Sequence, residues 1–255
     1  MYIDVHCHLD NNYYDELDKV IIDANDSGVG KIIYNGCNLE SNKEVLDLID
    51  KYDCVYGAIG FHPNELENVT DEDYIFLEDN IKNNKIVAIG EIGLDYHYED
   101  TDKEKQKYHF IKQIELAKKY NLPVIIHSRD SIQDTYDILK KYPIKGVLHC
   151  YSGSLEMARE FIKLGLFISV GGIITFKNAK NIIEVIKNID LSYVLLETDS
   201  PYLTPEPYRK YKNEPMYVPV IASKIAEVKG VSVEEVRDVT TSNALALFDF
   251  YMKKW

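Results

Sequence analysis

Eight short apolar runs recur along the chain, each separated from the next by a polar, helix-prone stretch. This alternation constrains the fold more than any other feature. The runs are YIDVHCHL (2–9), KIIYNGC (31–37), VYGAIGFH (55–62), IVAIGEIGLDY (86–96), LPVIIHSR (122–129), KGVLHCYSG (145–153), LFISVGGI (166–173) and VLLETDSP (194–201). Each is apolar almost throughout, as parallel strands covered on both faces must be. Phe110, Ile111, Ile114 and Ala117 form one helical stripe, and Ile221, Ile225 and Val228 another. Capping boxes are expected at Ser41/Glu44, Thr101/Glu104 and Ser232/Glu235, and helix stops at Gly28, Gly165 and Gly230. Eight strand–helix alternations predict an α/β chain folded as a (β/α)8 TIM barrel, with extra helix after Pro219. A doubly wound open sheet would place a glycine-rich phosphate loop after its first strand. Here that position reads HCHLDNNYYDE. The 255 residues fit one domain, 1–255, with no compositional break.

The polar residues within these runs gather at their C-terminal ends. They are His6 and His8, His62, Glu91, His127, His149 and Asp199. In a barrel those ends meet on one rim. His6 and His8 share a strand face, with Cys7 turned to the other side. Imidazoles and hard carboxylate oxygens together suit a divalent cation, which also offsets the cost of burying them. His97 and His109 read instead as peripheral and packing residues. Cys7, Cys37, Cys54 and Cys150 are scattered and read as reduced thiols, Cys7 and Cys150 as packing residues.

Charge narrows the functional classes. Lys and Arg total 29 against 42 Asp and Glu, a net −13. A broad basic face for nucleic acid is therefore excluded, and any phosphate must be held by locally placed cations. No basic leader and no apolar run of membrane-spanning length is expected, so a cytoplasmic chain without a membrane partner is predicted.

The segments IDVHCHLD, GFHP, AIGEIGLDY, PVIIHSRD, LHCYSG, SVGG, LLETDSPYLTP and RKYKNEP together resemble the TatD family of metal-dependent deoxyribonucleases, within the amidohydrolase-like barrel superfamily. The glutamate of GEIGLDY sets this group apart from barrel hydrolases with a carbamylated lysine on the fourth strand. The resemblance implies a pair of divalent cations, Mg²⁺ or Mn²⁺ ahead of Zn²⁺. His6, His8 and Asp199 would hold one, His127 and His149 the other, and Glu91 would bridge them. His62, Arg129, Glu197, Arg209 and Asn213 would be substrate-side positions. Glu91 and Asp199 would be the catalytic carboxylates, with Asp199 orienting a metal-activated water. The activity implied is phosphodiester hydrolysis, with 3′→5′ exonuclease polarity, on DNA or alternatively RNA, with no obligate protein partner. The family's tail motif runs roughly R-G-K-R-N-E-P. Here Lys210 replaces the glycine, Tyr211 the lysine and Lys212 the arginine. Two divalent cations offset by Glu91, Asp199 and a hydroxide would leave about one positive charge for a phosphodiester. Among the 20 tyrosines, Tyr96 and Tyr202 are candidates for stacking on bases. The same barrel chemistry would also serve an amide, a lactone or an aminoacyl-tRNA ester. A binding module around a structural metal is a further alternative.

Overall fold

The computed structural model describes residues 1–250. Eight parallel strands form one sheet in chain order: β1 (Tyr2–Cys7), β2 (Val29–Asn35), β3 (Val55–Ile59), β4 (Ile86–Asp95), β5 (Val124–Arg129), β6 (Gly146–Leu148), β7 (Leu166–Val170) and β8 (Val194–Leu196). The helices are α1 (Leu17–Asp26), α2 (Leu39–Lys51), α3 (Asp71–Asn80), α4 (Lys103–Lys119), α5 (Ile132–Lys141), α6 (Leu155–Lys163), α7 (Lys180–Asn188), α8 (Val218–Lys229) and α9 (Val233–Leu247). This is the (β/α)8 barrel class, and each expected strand is present. The apolar runs extend past the strands because their polar tails belong to the loops. His8, His62, His149 and Asp199 all lie beyond the last hydrogen-bonded strand residue.

Chain packing divides into two compact units, each carrying four strands. The first comprises residues 1–34, 149–163 and 167–246, with β1, β2, β7 and β8. In it β8 lies beside β1: the Asp199 N–H donates to the His6 carbonyl at 2.9 Å and the His8 N–H to the Ser200 carbonyl at 2.7 Å. The second comprises residues 35–148, 164–166 and 247–250, with β3 to β6. All ten residues of β4 are buried. Its partner β5 sets Gly93 opposite His127 and Asp95 opposite Arg129. Gly93 has φ +144°, and a Cβ there would stand 2.0 Å from the His127 carbonyl oxygen. Only glycine allows β4 so close to the residue that carries the imidazole.

The helix signals were displaced in two places. Helix α2 is capped by Asn38, whose side chain accepts from Ser41 N–H while Ser41 reaches back, so the box is Asn38/Ser41 rather than Ser41/Glu44. Helix α4 begins at Asp102, which accepts from Lys105 N–H, one residue beyond the expected Thr101. Asn38, in an extended conformation, and Asp102 take the cap in place of the nearby hydroxyl residue. Ser232 does accept from Glu235 N–H at 3.1 Å. Gly28, Gly165 and Gly230 follow α1, α6 and α8 with positive φ. Helix α8 carries Pro219 in its first turn, and Ile221 and Ile225 are buried while Val228 is half-buried. On α4, Phe110, Ile114 and Ala117 are buried, Ile111 only partly.

Two polar side chains of the second unit grip the backbone just before His62. The Asn42 amide bonds Gly60 N–H and C=O, and the Gln113 amide bonds Phe61 N–H at 2.7 Å and C=O at 3.1 Å. Both side chains are fully buried or nearly so. Gln113→Leu keeps the bulk and strands two buried backbone groups, so it should lower unfolding free energy by about 2–4 kcal/mol. Urea denaturation checks this. A loss under about 0.5 kcal/mol, within the range of an ordinary surface change, would show that the bonds are dispensable.

Candidate metal centre

In the first unit, the strand ends bring together His6, His8, His149, Asp199 and Glu197. His6, on β1, and His8, just past its end, have ring centroids 5.0 Å apart. Cys7, between them, points away and donates from its thiol to the Ile33 carbonyl on β2. The His149 ring, just past β6, stacks on His6 at 3.9 Å. The Asp199 Oδ1 is 3.5 Å from His6 Nε2 and 3.7 Å from His8 Nε2. Potential ligand atoms of His6, His149 and Asp199 lie within 4.8 Å of one another. Burial pushes the Asp199 carboxyl up, but the hydrogen bond from His6 and the charges of the three imidazoles outweigh it and hold it below its usual value. Asp199 adopts φ +54°, a left-handed backbone uncommon outside glycine and strained in this position. Its N–H bond to His6 anchors that conformation.

A layer of buried groups stands behind these ligands. Asp4, fully buried on β1, accepts from the N–H groups of His6 and Thr198 and from the Thr198 hydroxyl. It ties the start of the Asp199 loop to the histidine strand. Desolvation pushes the Asp4 carboxyl well above its usual range, against these bonds. Glu197 is also fully buried. Its Oε1 accepts from Cys150 N–H at 2.6 Å and stands 3.6 Å from His149 Nδ1. Its Oε2 has no hydrogen-bond partner among the described residues. Glu197, expected on the substrate side, thus stands behind His149, inaccessible to solvent. Asn213, also expected on the substrate side, is inaccessible, and its amide donates to the carbonyls of Thr198, at 2.7 Å, and Tyr202 while its Oδ1 accepts from Glu214 N–H. It clamps the loop after Asp199.

In the second unit, Glu91, Asp95, His62 and His127 cluster. His127 Nδ1 lies 2.8 Å from Glu91 Oε1, and its Nε2 lies 3.2 Å from Asp95 Oδ2. His62 Nδ1 accepts from Asn64 N–H at 3.1 Å, which turns its Nε2 toward Glu91 Oε1 at 3.6 Å. Atoms of His62, Asp95 and His127 also fall within 4.8 Å of one another. The Cys37 thiol donates to Glu91 Oε2 at 3.7 Å. Asp95 was missed in the sequence. It lies four residues beyond Glu91, hence on the same face of β4 by strand periodicity, and that parity was the available signal. Burial raises its pKa, but hydrogen bonds from His127, His97 N–H and the Asn64 amide hold the carboxyl well below the usual range.

These donors fit divalent cations. An imidazole with a carboxylate at each nitrogen, as in His127, must be doubly protonated or share a cation, because neutral imidazole carries one N–H. Two nearly inaccessible imidazoles stacked beside a carboxylate make the same demand in the first unit. The remaining candidates lie outside both groups. Arg129 is exposed at the end of β5. Arg209 donates to the Thr204 carbonyl and covers the Phe176 ring at 4.2 Å. His97 meets Asp130 near the surface, and His109 bonds Tyr74 inside the packing of α3 and α4. Tyr96 bonds Asp134.

The sequence pattern of the family described as TatD related DNase matches residues 3–249. The chain belongs to the TatD family. It is 43% identical over 252 residues to the metal-dependent hydrolase YabD of Bacillus subtilis, covering 97% of this chain and 99% of that one. It is 37% identical to the metal-dependent hydrolase YcfH of Escherichia coli, covering 96% and 95%. The crystal structure of YjjV, a TatD homologue from E. coli, superposes with a TM-score of 0.91 at 33% identity, covering 97% and 98%. The TatD fold thus accounts for nearly the whole chain. Among the described residues no helix is long and apolar enough to cross a membrane.

Glu197→Gln keeps the bond from Cys150 N–H but removes the charge facing His149. It should weaken divalent-cation uptake by about 10- to 100-fold, the range for groups that orient metal ligands, with the fold unchanged. Titration of chelator-stripped protein followed by calorimetry checks this. Unchanged affinity would make Glu197 a purely structural acceptor.

Proposed function

We propose that this TatD-family metal-dependent hydrolase cuts phosphodiester bonds of nucleic acid, with DNA as the substrate and two divalent cations as cofactor. The observation that carries this reading is the donor set. Five histidines and the carboxylates of Glu91, Asp95 and Asp199 stand in two groups on strand ends, enough for two cations. His6, His8 and Asp199 would hold one ion, His127 and His149 the second, and Glu91 would bridge them. Bound there, the ions would supply Lewis-acid polarisation of a phosphoryl oxygen and a water of lowered pKa. The residues of the chain do the rest. Asp199 turns Oδ1 to the two imidazoles of β1, and its Oδ2 is the oxygen assigned to receive the proton of the attacking water. His62, with Nδ1 accepting from Asn64 N–H, carries its proton at Nε2 beside Glu91 Oε1 and would turn it to a phosphate oxygen when substrate enters. The apolar packing beneath the strand ends strengthens each of these contacts by keeping the local dielectric low. The family name supports phosphodiesters over amides or lactones. Removal of nucleotides from the 3′ end, Mg²⁺ or Mn²⁺ ahead of Zn²⁺, and a cytoplasmic site of action belong to the same proposal.

End-labelled oligonucleotides, digested with chelator-stripped protein and each metal in turn, test it. The expected outcome is a product ladder from the 3′ end that appears only when metal is restored. Turnover of lactones or cyclic amides with no oligonucleotide cleavage would overturn it. Glu91→Ala should reduce cleavage to background while circular dichroism and thermal melting stay those of a folded barrel. Full activity of that variant in metal-replete buffer would defeat the assignment of Glu91.

A further inference from the structure

The cluster of the second unit holds one group with no part in the reading above. Glu91 divides its two oxygens. Oε1 faces the imidazoles, 2.8 Å from His127 Nδ1 and 3.6 Å from His62 Nε2. Oε2 faces sulfur, accepting from the Cys37 thiol at 3.7 Å. Cys37 is half-buried, whereas Cys7 is fully enclosed. It lies just past β2, in NGCN (35–38), and the surrounding backbone fixes it there. Its N–H donates to the Ser41 hydroxyl at 2.8 Å, inside the cap of α2. Its carbonyl accepts from the His62 N–H at 2.8 Å, and the Gly36 carbonyl accepts from the Glu91 N–H at 3.0 Å. The backbones that carry Cys37, His62 and Glu91 are thus tied directly to one another.

A cation is called for here on grounds that do not involve the sulfur. His127 has a carboxylate at each ring nitrogen, and potential ligand atoms of His62, Asp95 and His127 lie within 4.8 Å of one another. Sulfur changes which cation such a group prefers. Thiolate selects soft and borderline ions of the zinc class, whereas Mg²⁺ and Mn²⁺ take oxygen. The 3.7 Å between Sγ and Oε2 suits an ion of the first kind. With bonds of about 2.0–2.2 Å to oxygen and about 2.3 Å to sulfur, the two would meet at the ion at about 110–120°, close to the tetrahedral angle that zinc adopts.

We propose that Cys37 Sγ and Glu91 Oε2 form a site for a thiophilic divalent cation of the zinc class. On binding, the S–H bond breaks, a bond from sulfur to the metal forms, and the proton leaves to solvent. A magnesium-class ion at Glu91 leaves Cys37 a thiol. Zinc-class ions are therefore held through one more protein ligand than the harder ions, and they tie up the carboxylate oxygen that the working pair needs. Cys37 makes the centre open to inhibition by thiophilic metals. The site stands on the geometry around Glu91, and its inhibitory consequence rests on the phosphodiesterase reading.

Chelator-stripped wild type, Cys37→Ser and Cys150→Ser, titrated with Cd²⁺ as a spectroscopic substitute for Zn²⁺, test the site. The readout is the ultraviolet charge-transfer absorption of a thiolate bound to metal. Cys37→Ser keeps a hydroxyl donor for Glu91 and lacks only the sulfur. Cys150→Ser removes the thiol next to His149. Wild type and Cys150→Ser should develop the band, Cys37→Ser should lose it, and Mg²⁺ should produce none. A second measurement needs no variant. Zn²⁺ should protect Cys37 of the wild type from alkylation by iodoacetamide, followed on its peptide by mass spectrometry, and Mg²⁺ should not. A wild type without the band, a band that persists in Cys37→Ser or vanishes in Cys150→Ser, or alkylation of Cys37 at the same rate with Zn²⁺ and with Mg²⁺ would overturn the site. In cleavage assays with Mn²⁺, added Zn²⁺ should inhibit wild type at lower concentration than Cys37→Ser. Equal inhibition of the two would overturn the inhibitory role. If no oligonucleotide is cleaved with any metal, the phosphodiesterase reading fails, while absorption and alkylation still decide the site.

Discussion

Carboxylates and imidazoles packed at the ends of apolar strands persist only when positive charge balances them. That requirement organises the functional end of this barrel. Asp199 is held ionised by the imidazoles around it, and Asp95 by His127, the His97 N–H and Asn64. His127 is flanked by carboxylates at both nitrogens. Such a set is costly with protons alone and favourable with divalent cations, because each cation satisfies several donors at once. The surrounding structure holds the candidate ligands in place. Asp4 and Asn213 hold the Asp199 loop, Glu197 faces His149, and Asn42 and Gln113 fix the approach to His62.

The barrel was legible because parallel strands covered on both faces read as unbroken apolar runs. The candidate ligands were legible because each interrupts such a run with a polar side chain. What stayed hidden depends on partners distant in the chain. Asp4 and Thr198 are separated by 194 residues, and nothing local to either marks the pair. Glu197 and Asn213 carry the same motifs whether they face a substrate or the backbone, and only burial distinguishes the two. Asp95 was readable by strand parity with Glu91 but was masked by the more obvious motif around it. The displaced caps on α2 and α4 arose where two good capping residues lay within a few positions of each other.

Anomalous scattering from crystals grown with manganese tests the central claim most directly. Two peaks about 3.5–4 Å apart, both in contact with the Glu91 carboxylate, are predicted. A single peak remote from Glu91, or none at the strand ends, would contradict the account.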